Sequence, residues 1–473
     1  MAGPASATNR SAYDASRQLT QTIRHNSDGR GARSWEDCVV ANSPFLTDGK
    51  GLTGFADLLE NAEAAAHRFH DVRHVVNLCD QRKGFLAGYF GALATGVTTL
   101  LPASRARGAV QGVLATYTDC GLLENTDDRL PISRDWSVPR IDAAFADERP
   151  AVVAFTSGST GPPTPHAKFW SSIRTTSRLN ARAIDAVISD STGRRTPWIV
   201  GTVPPHHMYG MELTVLLPML FDFGLHAGRP LFPADVASAL RDVPDPRVLV
   251  STPAHLRAIV KARVDLPSIA VVISATAPMD QSLAKAVEDA SGAPLLEMFG
   301  ATETCILGHR RSSIDPYWTP YEGVRFSRLP DGTLVDAPWF RETQRLADYI
   351  QVTEEGRFEL LGRSSDLVEV AGKRASLARI TSEILSINGV RDAVVFQPST
   401  SDRLVRRLVA FVVADDVLPE TVRAHLERSV DPVFLPRPIT FVESLPRTET
   451  GKLTAAALDD LLSLHETARH TGD

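Results

Sequence analysis

The chain has 473 residues, of which 43% are hydrophobic and 22% charged. These are the proportions of a globular protein with a large core and two or three structural units. A net charge of −6 offers no basic stripe to nucleic acid and suits an enzyme that meets anions only at local basic sites.

Residues 1–30 are polar and without period and read as a partly disordered arm, and MAGPASATNR lacks the apolar stretch of a secretory signal. Leu52, Phe55, Leu59, Ala62, Ala66 and Phe69 fall on one stripe, which predicts a helix from Leu52. HVVNLCD from His74 reads as a strand, Gly84 to Gly96 as a buried helix and VTTLLP as a second strand. AVVAF (Ala151 to Phe155), PWIVGTVPP, RVLVSTP, IAVVISA and GAPLLEMFG add further strands. Their alternation with helical segments predicts parallel sheets with helical crossovers. From Tyr317 the pattern becomes short and alternating, with hairpin turns expected at Asp331-Gly332 and Glu355-Gly356. After Asp366 comes a small α+β unit: helix ARITSEILSI, strands DAVVFQP and RRLVAFVVA, helix LPETVRAHLERSV and the tail LPRTETGKLT. The expected organisation is an arm (1–30), a large α/β core domain (31–362) with an antiparallel β-subdomain, a hinge (363–366) and a small mobile α+β domain (367–473). Cys38, Cys79, Cys120 and Cys305 form no CxxC pair, which argues against a disulfide framework or zinc site and for a reducing cytoplasm. No apolar run approaches the ~20 residues of a membrane span; the longest, around Leu213 to Leu220, is broken by Pro218.

One loop carries chemistry on its face. AVVAF runs into TSGSTG, Thr156, Ser157, Gly158, Ser159, Thr160 and Gly161. The glycines allow close backbone approach, and successive amides with four hydroxyls make an anion cradle, which suits a polyphosphate. The loop is not a P-loop, because Pro162 and Pro163 stand where that motif continues.

Four more segments follow in order: FGATET at 299–304, Asp348 in TQRLADY, GRSSD from Gly362, and PRTETGKL ending on Lys452 and Leu453. Together with TSGSTG they resemble the adenylate-forming superfamily of acyl-CoA synthetases, peptide-synthetase adenylation domains and luciferases, over nearly the whole chain. The resemblance implies that TSGSTG wraps the β- and γ-phosphates of ATP. It implies that Ser274, Ala275 and Thr276 border the adenine, and that Phe299, Gly300 and Ala301 lie beside it, with Phe299 stacked near the ring. Thr302 would bond the α-phosphate, Glu303 would hold magnesium, and Asp348 would accept both ribose hydroxyls, with Arg363 alongside. His207, in PPHHMYG, falls on the histidine near the acyl carboxylate. Lys452 would lie between that carboxylate and the α-phosphate, and Ser365 with Asp366 would form the hinge.

The chain departs from relatives after the loop. Thr164 stands where the loop lysine is usual, so that His166 and Lys168 are the nearest basic candidates, Lys168 also reading as a surface residue. Glu369 and Ala378 to Ile380 replace usual residues after the hinge. A loop of the form TSGSTG-x-P-x-x-H-x-K-x-W resembles stand-alone hydroxybenzoate-AMP ligases of xanthomonadin and aryl-polyene pigment pathways. That implies a 3- or 4-hydroxybenzoate substrate and an acyl carrier protein acceptor, docked on arginines such as Arg374, Arg379, Arg403, Arg406 and Arg407. The acid pocket is expected among His206, His207, Tyr209, Met211 and Cys305. Free coenzyme A as acceptor, a fatty acid as substrate, and a non-catalytic nucleotide-binding scaffold are the competing readings.

Overall fold

The computed structural model describes residues 44–54, 58, 61–62, 65–69, 71–79, 81–124, 149–156, 164–188, 195–363, 366–370, 373–398, 407–447, 453 and 455–470. The expected arm, Ser157 to Gly161, Ser365, Arg403, Arg406 and Lys452 lie outside these residues.

Two sheets share the large core. Five described strands lie in the order Cys120–Leu123, His74–Asn77, Thr98–Leu101, Pro150–Thr156, Thr164–Phe169. The first four are parallel and the last is antiparallel to Pro150–Thr156. The second sheet has nine described strands. Its centre is the parallel run Gly224–His226, Trp198–Gly201, Arg247–Ser251, Val271–Ser274 and Leu295–Ala301. Cys305–Arg310 then pairs antiparallel with Leu295–Ala301. The central strands are buried on both faces, as their unbroken Val, Leu and Ile runs require. Helix Arg82–Thr95 is buried along almost its entire length, so the Gly- and Ala-rich stretch is a core helix as expected.

The antiparallel texture after Tyr317 is also present. Arg325–Leu329 pairs with Gly332–Asp336, and Asp348–Val352 with Phe358–Arg363. Leu329 faces Gly332 in register, so the first turn residues are Pro330 and Asp331, one place earlier than expected. Gly356, at φ 77°, makes the second turn. The small unit contains the sheet Val390–Phe396, Val409–Ala414, Ile439–Phe441 with helices Leu377–Leu385 and Pro419–Ser429. No described helix is long and apolar enough to cross a membrane.

Two expectations about local structure are corrected. Leu52 does not begin a helix: Leu52–Gly54 is a strand, paired with Pro44–Thr47. Asp48 Oδ1 accepts from the amides of Lys50 and Gly51 and closes the turn between them. A local turn thus overrides the stripe, whose first residue is 61% exposed. Thr164–Phe169, expected as loop, is a strand, because its zigzag brings it onto the edge of Pro150–Thr156.

Candidate active site

The edge strand decides where the basic residues go. Successive side chains alternate between faces. Lys168, in register with Val152, is only 6% exposed and is no surface residue. Its ammonium donates to the backbone carbonyl of Glu303 at 2.6 Å, joining one sheet to the FGATET turn of the other across 135 positions of sequence. His166 shares 3.0 Å with the Thr156 hydroxyl through Nε2. Burial chiefly lowers the His166 pKa from the ordinary 6.5, with the Glu303 charge opposing and the Lys168 charge assisting. At neutral pH the imidazole is therefore uncharged, and Lys168 is the fixed cation of this strand.

The FGATET turn is held by a residue the sequence reading passed over. Thr304 is fully buried, accepts from the Ala301 amide at 3.0 Å and donates to the Cys305 carbonyl at 2.9 Å. Gly300 cannot carry a side chain, since a Cβ there would lie 2.2 Å from the Cys305 carbonyl oxygen. Cys305 itself has φ 61°, and Thr276, in the segment expected at the adenine, has φ 80°. Such left-handed non-glycine residues are strained and concentrate at functional sites. Phe299 is 8% exposed, its ring packed on Trp318 and Phe358, so little of it is open to a ligand. Ser274 and Ala275 end their strand buried.

Asp348 and Arg363 face each other in register, and Arg363 Nε donates to Asp348 Oδ1 at 3.0 Å. Burial disfavours the guanidinium charge. Asp348, followed by Asp366 and Glu303, more than offsets this and holds the Arg363 pKa above its ordinary value. With the Arg363 side chain half exposed, such a pair adds at most about 1 kcal/mol to stability. Its consequence is orientation: Asp348, 9% exposed, is fixed toward Arg363. Arg363, Lys168 and His166 all feel Glu303 through its charge or its carbonyl, so segments 135 and 60 residues apart in sequence converge on that turn.

Among the described residues no three His, Cys, Asp or Glu side chains gather around a metal. A lone Glu303 carboxylate fits magnesium, which takes most of its ligands from water and phosphate.

His207 caps helix Met208–Met211, which continues through a π turn, Glu212–Leu216, into Leu217–Leu220. Gly210 lets this helix press on the preceding loop, because a Cβ would lie 2.0 Å from the Pro204 carbonyl oxygen. Arg82 supports the same loop. It is 1% exposed and donates to the carbonyls of Val203 (2.9 Å), Gly201 (3.4 Å) and His226 (3.5 Å). Burial, then the Arg229 charge, lowers its pKa to about 9. His206 and His207 are partly exposed, whereas the Tyr209 hydroxyl is spent on the carbonyls of Ser251 and Ile273. Met211 is fully enclosed (0% exposed) beside them. Cys305 is 5% exposed, and burial pushes its thiol up to about 12, so it is not poised as a nucleophile.

Glu212 was not anticipated. Burial pushes its carboxyl from 4.5 up to about 7, against the Ile306 amide, Asn180 and the Lys168 charge. The folded state thus binds this proton more tightly than the unfolded chain. The stability it contributes is complete below about pH 4.5 and lost as pH rises through about 7. The unfolding free energy of Glu212→Gln is therefore expected to gain on that of the parent between about pH 5 and 8, by up to roughly 3 kcal/mol, as followed by chemical denaturation across that range. A difference that stays flat with pH would show a carboxyl that ionises normally.

Comparison with known proteins follows this geometry. The profile of the AMP-binding enzyme family matches residues 62–324, and that of the AMP-binding enzyme C-terminal domain matches 380–452. A 4-coumarate–CoA ligase from Rhodobacter capsulatus is 30% identical over 315 residues, covering 65% of this chain and 76% of that one. A benzoate–CoA ligase from Thauera aromatica is 31% identical over 140 residues, 28% of this chain and 26% of that one. The structure of o-succinylbenzoate CoA synthetase from Bacillus subtilis, in complex with its acyl-adenylate, matches with a TM-score of 0.72 at 15% identity. It covers 88% of this chain and 95% of that one.

Proposed function

Since the chain belongs to the AMP-binding enzyme family and is an ATP-dependent adenylate-forming ligase, we propose that it adenylates an aryl carboxylic acid, 3- or 4-hydroxybenzoate, and passes the acyl group to the phosphopantetheine thiol of an acyl carrier protein. The observation that carries the first half-reaction is the convergence on one turn of Lys168, bonded to the Glu303 carbonyl, with the Asp348–Arg363 pair.

A carboxylate oxygen attacks the α-phosphorus, and the bond to pyrophosphate breaks. Two anions must meet, so fixed cations and donors around them lower the barrier. Asp348 accepts the ribose hydroxyls with its two oxygens. Thr302 donates to the α-phosphate, and His207 orients the acid. Lys168 stands in for the missing loop lysine by keeping a positive charge beside the turn. Lys452 lies between the reacting anions. Glu303 would hold magnesium, which would supply neutralisation of the phosphate charge. Residues 363–366, Ser365 and Asp366 among them, form the hinge on which the small domain turns to admit the thiol. Of the arginines expected to meet an acidic carrier, Arg379 and Arg407 are described and exposed.

Relatives whose names specify coumarate and benzoate support the aryl acid. The same names specify coenzyme A, which favours free coenzyme A as the second reading of the acceptor. The test is carboxylate-dependent ATP–pyrophosphate exchange with hydroxybenzoates, benzoate, cinnamates and graded fatty acids, followed by thioester formation with carrier protein or coenzyme A. Exchange confined to hydroxybenzoates is the expected result. Exchange confined to fatty acids would overturn the aryl reading, and no exchange from folded, ATP-binding protein would leave only the scaffold.

A further inference from the structure

Glu212 has more acceptor capacity than the fold uses. It is 2% exposed and opens the π turn, five residues after His207. One oxygen, Oε2, accepts from the Ile306 amide at 3.1 Å and from Asn180 Nδ2 at 3.4 Å. Asn180 Oδ1 in turn accepts from the Tyr321 hydroxyl at 2.7 Å. Among the described residues, nothing donates to the other oxygen, Oε1, and the only cation that acts on the carboxylate is Lys168, through its charge alone. The nearby Lys168 ammonium is bonded instead to the Glu303 carbonyl.

A buried carboxylate without a bonded cation is costly. The two bonds to Oε2 do not require it, because a glutamine carbonyl would accept both. The second oxygen is therefore the part of this residue without a structural task. Its setting is specific. Ile306, whose amide Glu212 holds, follows Cys305 directly at the end of the FGATET turn. The π turn joins Glu212 to the helix that His207 caps, and irregular helical turns of this kind are frequent at functional sites.

We propose that Glu212 closes the inner end of the acid pocket and accepts, through Oε1, a hydrogen bond from a ring hydroxyl of the substrate, with Asn180 and Tyr321 holding the carboxylate in place. This rests on the aryl-acid reading above and adds to it the residue that recognises the hydroxyl. A site built to pair a substrate hydroxyl discriminates strongly against the analogue that lacks it.

The experiment uses the full chain and compares 3- and 4-hydroxybenzoate with benzoate in ATP–pyrophosphate exchange. The parent protein is expected to prefer a hydroxybenzoate over benzoate. Glu212→Gln keeps the shape but turns an amide donor toward the ligand. It is expected to lower the hydroxybenzoate-over-benzoate ratio of kcat/KM at least ~10-fold, chiefly through KM for the hydroxybenzoate. Tyr321→Phe, which only loosens Asn180, is expected to shift the preference the same way by less, and serves if the first variant does not fold. A parent preference for hydroxybenzoate that survives in both variants, or an equal fall for every acid, overturns the role of Glu212 and leaves the aryl reading standing. A parent that prefers benzoate, or that activates no aryl acid, overturns both.

Discussion

Replacing Lys452 with alanine is expected to lower ATP–pyrophosphate exchange by at least roughly 10²–10³-fold while leaving the melting temperature unchanged. The charges of the large domain explain the size of the effect. Arg363 is occupied by Asp348, and Lys168 by the Glu303 carbonyl. Neither is free to move between an incoming carboxylate and the α-phosphate. In the proposed reaction, a lysine brought in on the small domain would supply that charge where it develops. The base of its tail is firmly tied: Arg447 Nε and Nη2 each reach Asp392 at 2.6 Å, and Leu445 packs with Phe396, Phe411 and Leu458. Thioester formation from preformed acyl-adenylate should survive in the variant, since attack at the acyl carbon does not need the lysine. An unchanged exchange rate would remove Lys452 from the first half-reaction.

The motif segments could be picked out because each is a short stretch with fixed neighbours. Asp348 and Arg363, fifteen residues apart, need only one hairpin to face each other, and the alternating pattern around Gly356 announced it. The alternation of apolar runs with helices likewise gave the parallel sheets. What could not be read depends on contacts made far along the chain. Lys168 looks like any surface lysine until its strand is laid against Pro150–Thr156 and its ammonium meets Glu303. Arg82 precedes the helix expected from Gly84 and carries no sequence signal, yet it is spent on carbonyls about 120 residues away. Glu212 sits in an apolar run that passes for plain core, and its partner amide is 94 residues on. A one-residue periodicity carries no trace of such pairings. Leu52 failed for the opposite reason: a purely local turn at Asp48 outweighed a helical stripe.

Lys168 gives the second large effect, and it separates structure from catalysis. Lys168→Met keeps the length of the side chain and removes only the ammonium. The Glu303 carbonyl then loses its buried donor, a cost of about 1–3 kcal/mol in stability. If the lysine did nothing else, the protein that remained folded would be fully active. The electrostatics argue for more. His166, the alternative basic residue, is kept neutral by burial, and Thr164 has no charge to offer. Lys168 is thus the cation nearest the turn that carries Thr302 and Glu303, in a position where burial limits screening by solvent. The expected result is a fall in exchange kcat/KM for ATP of roughly 10²-fold or more in folded Lys168→Met, beyond the loss of stability. Adding magnesium should not restore it, because the missing charge is fixed to the strand and not to the phosphates. A variant that is less stable but exchanges at the parent rate would make Lys168 a structural strut, and the phosphates would then be held by the loop amides alone.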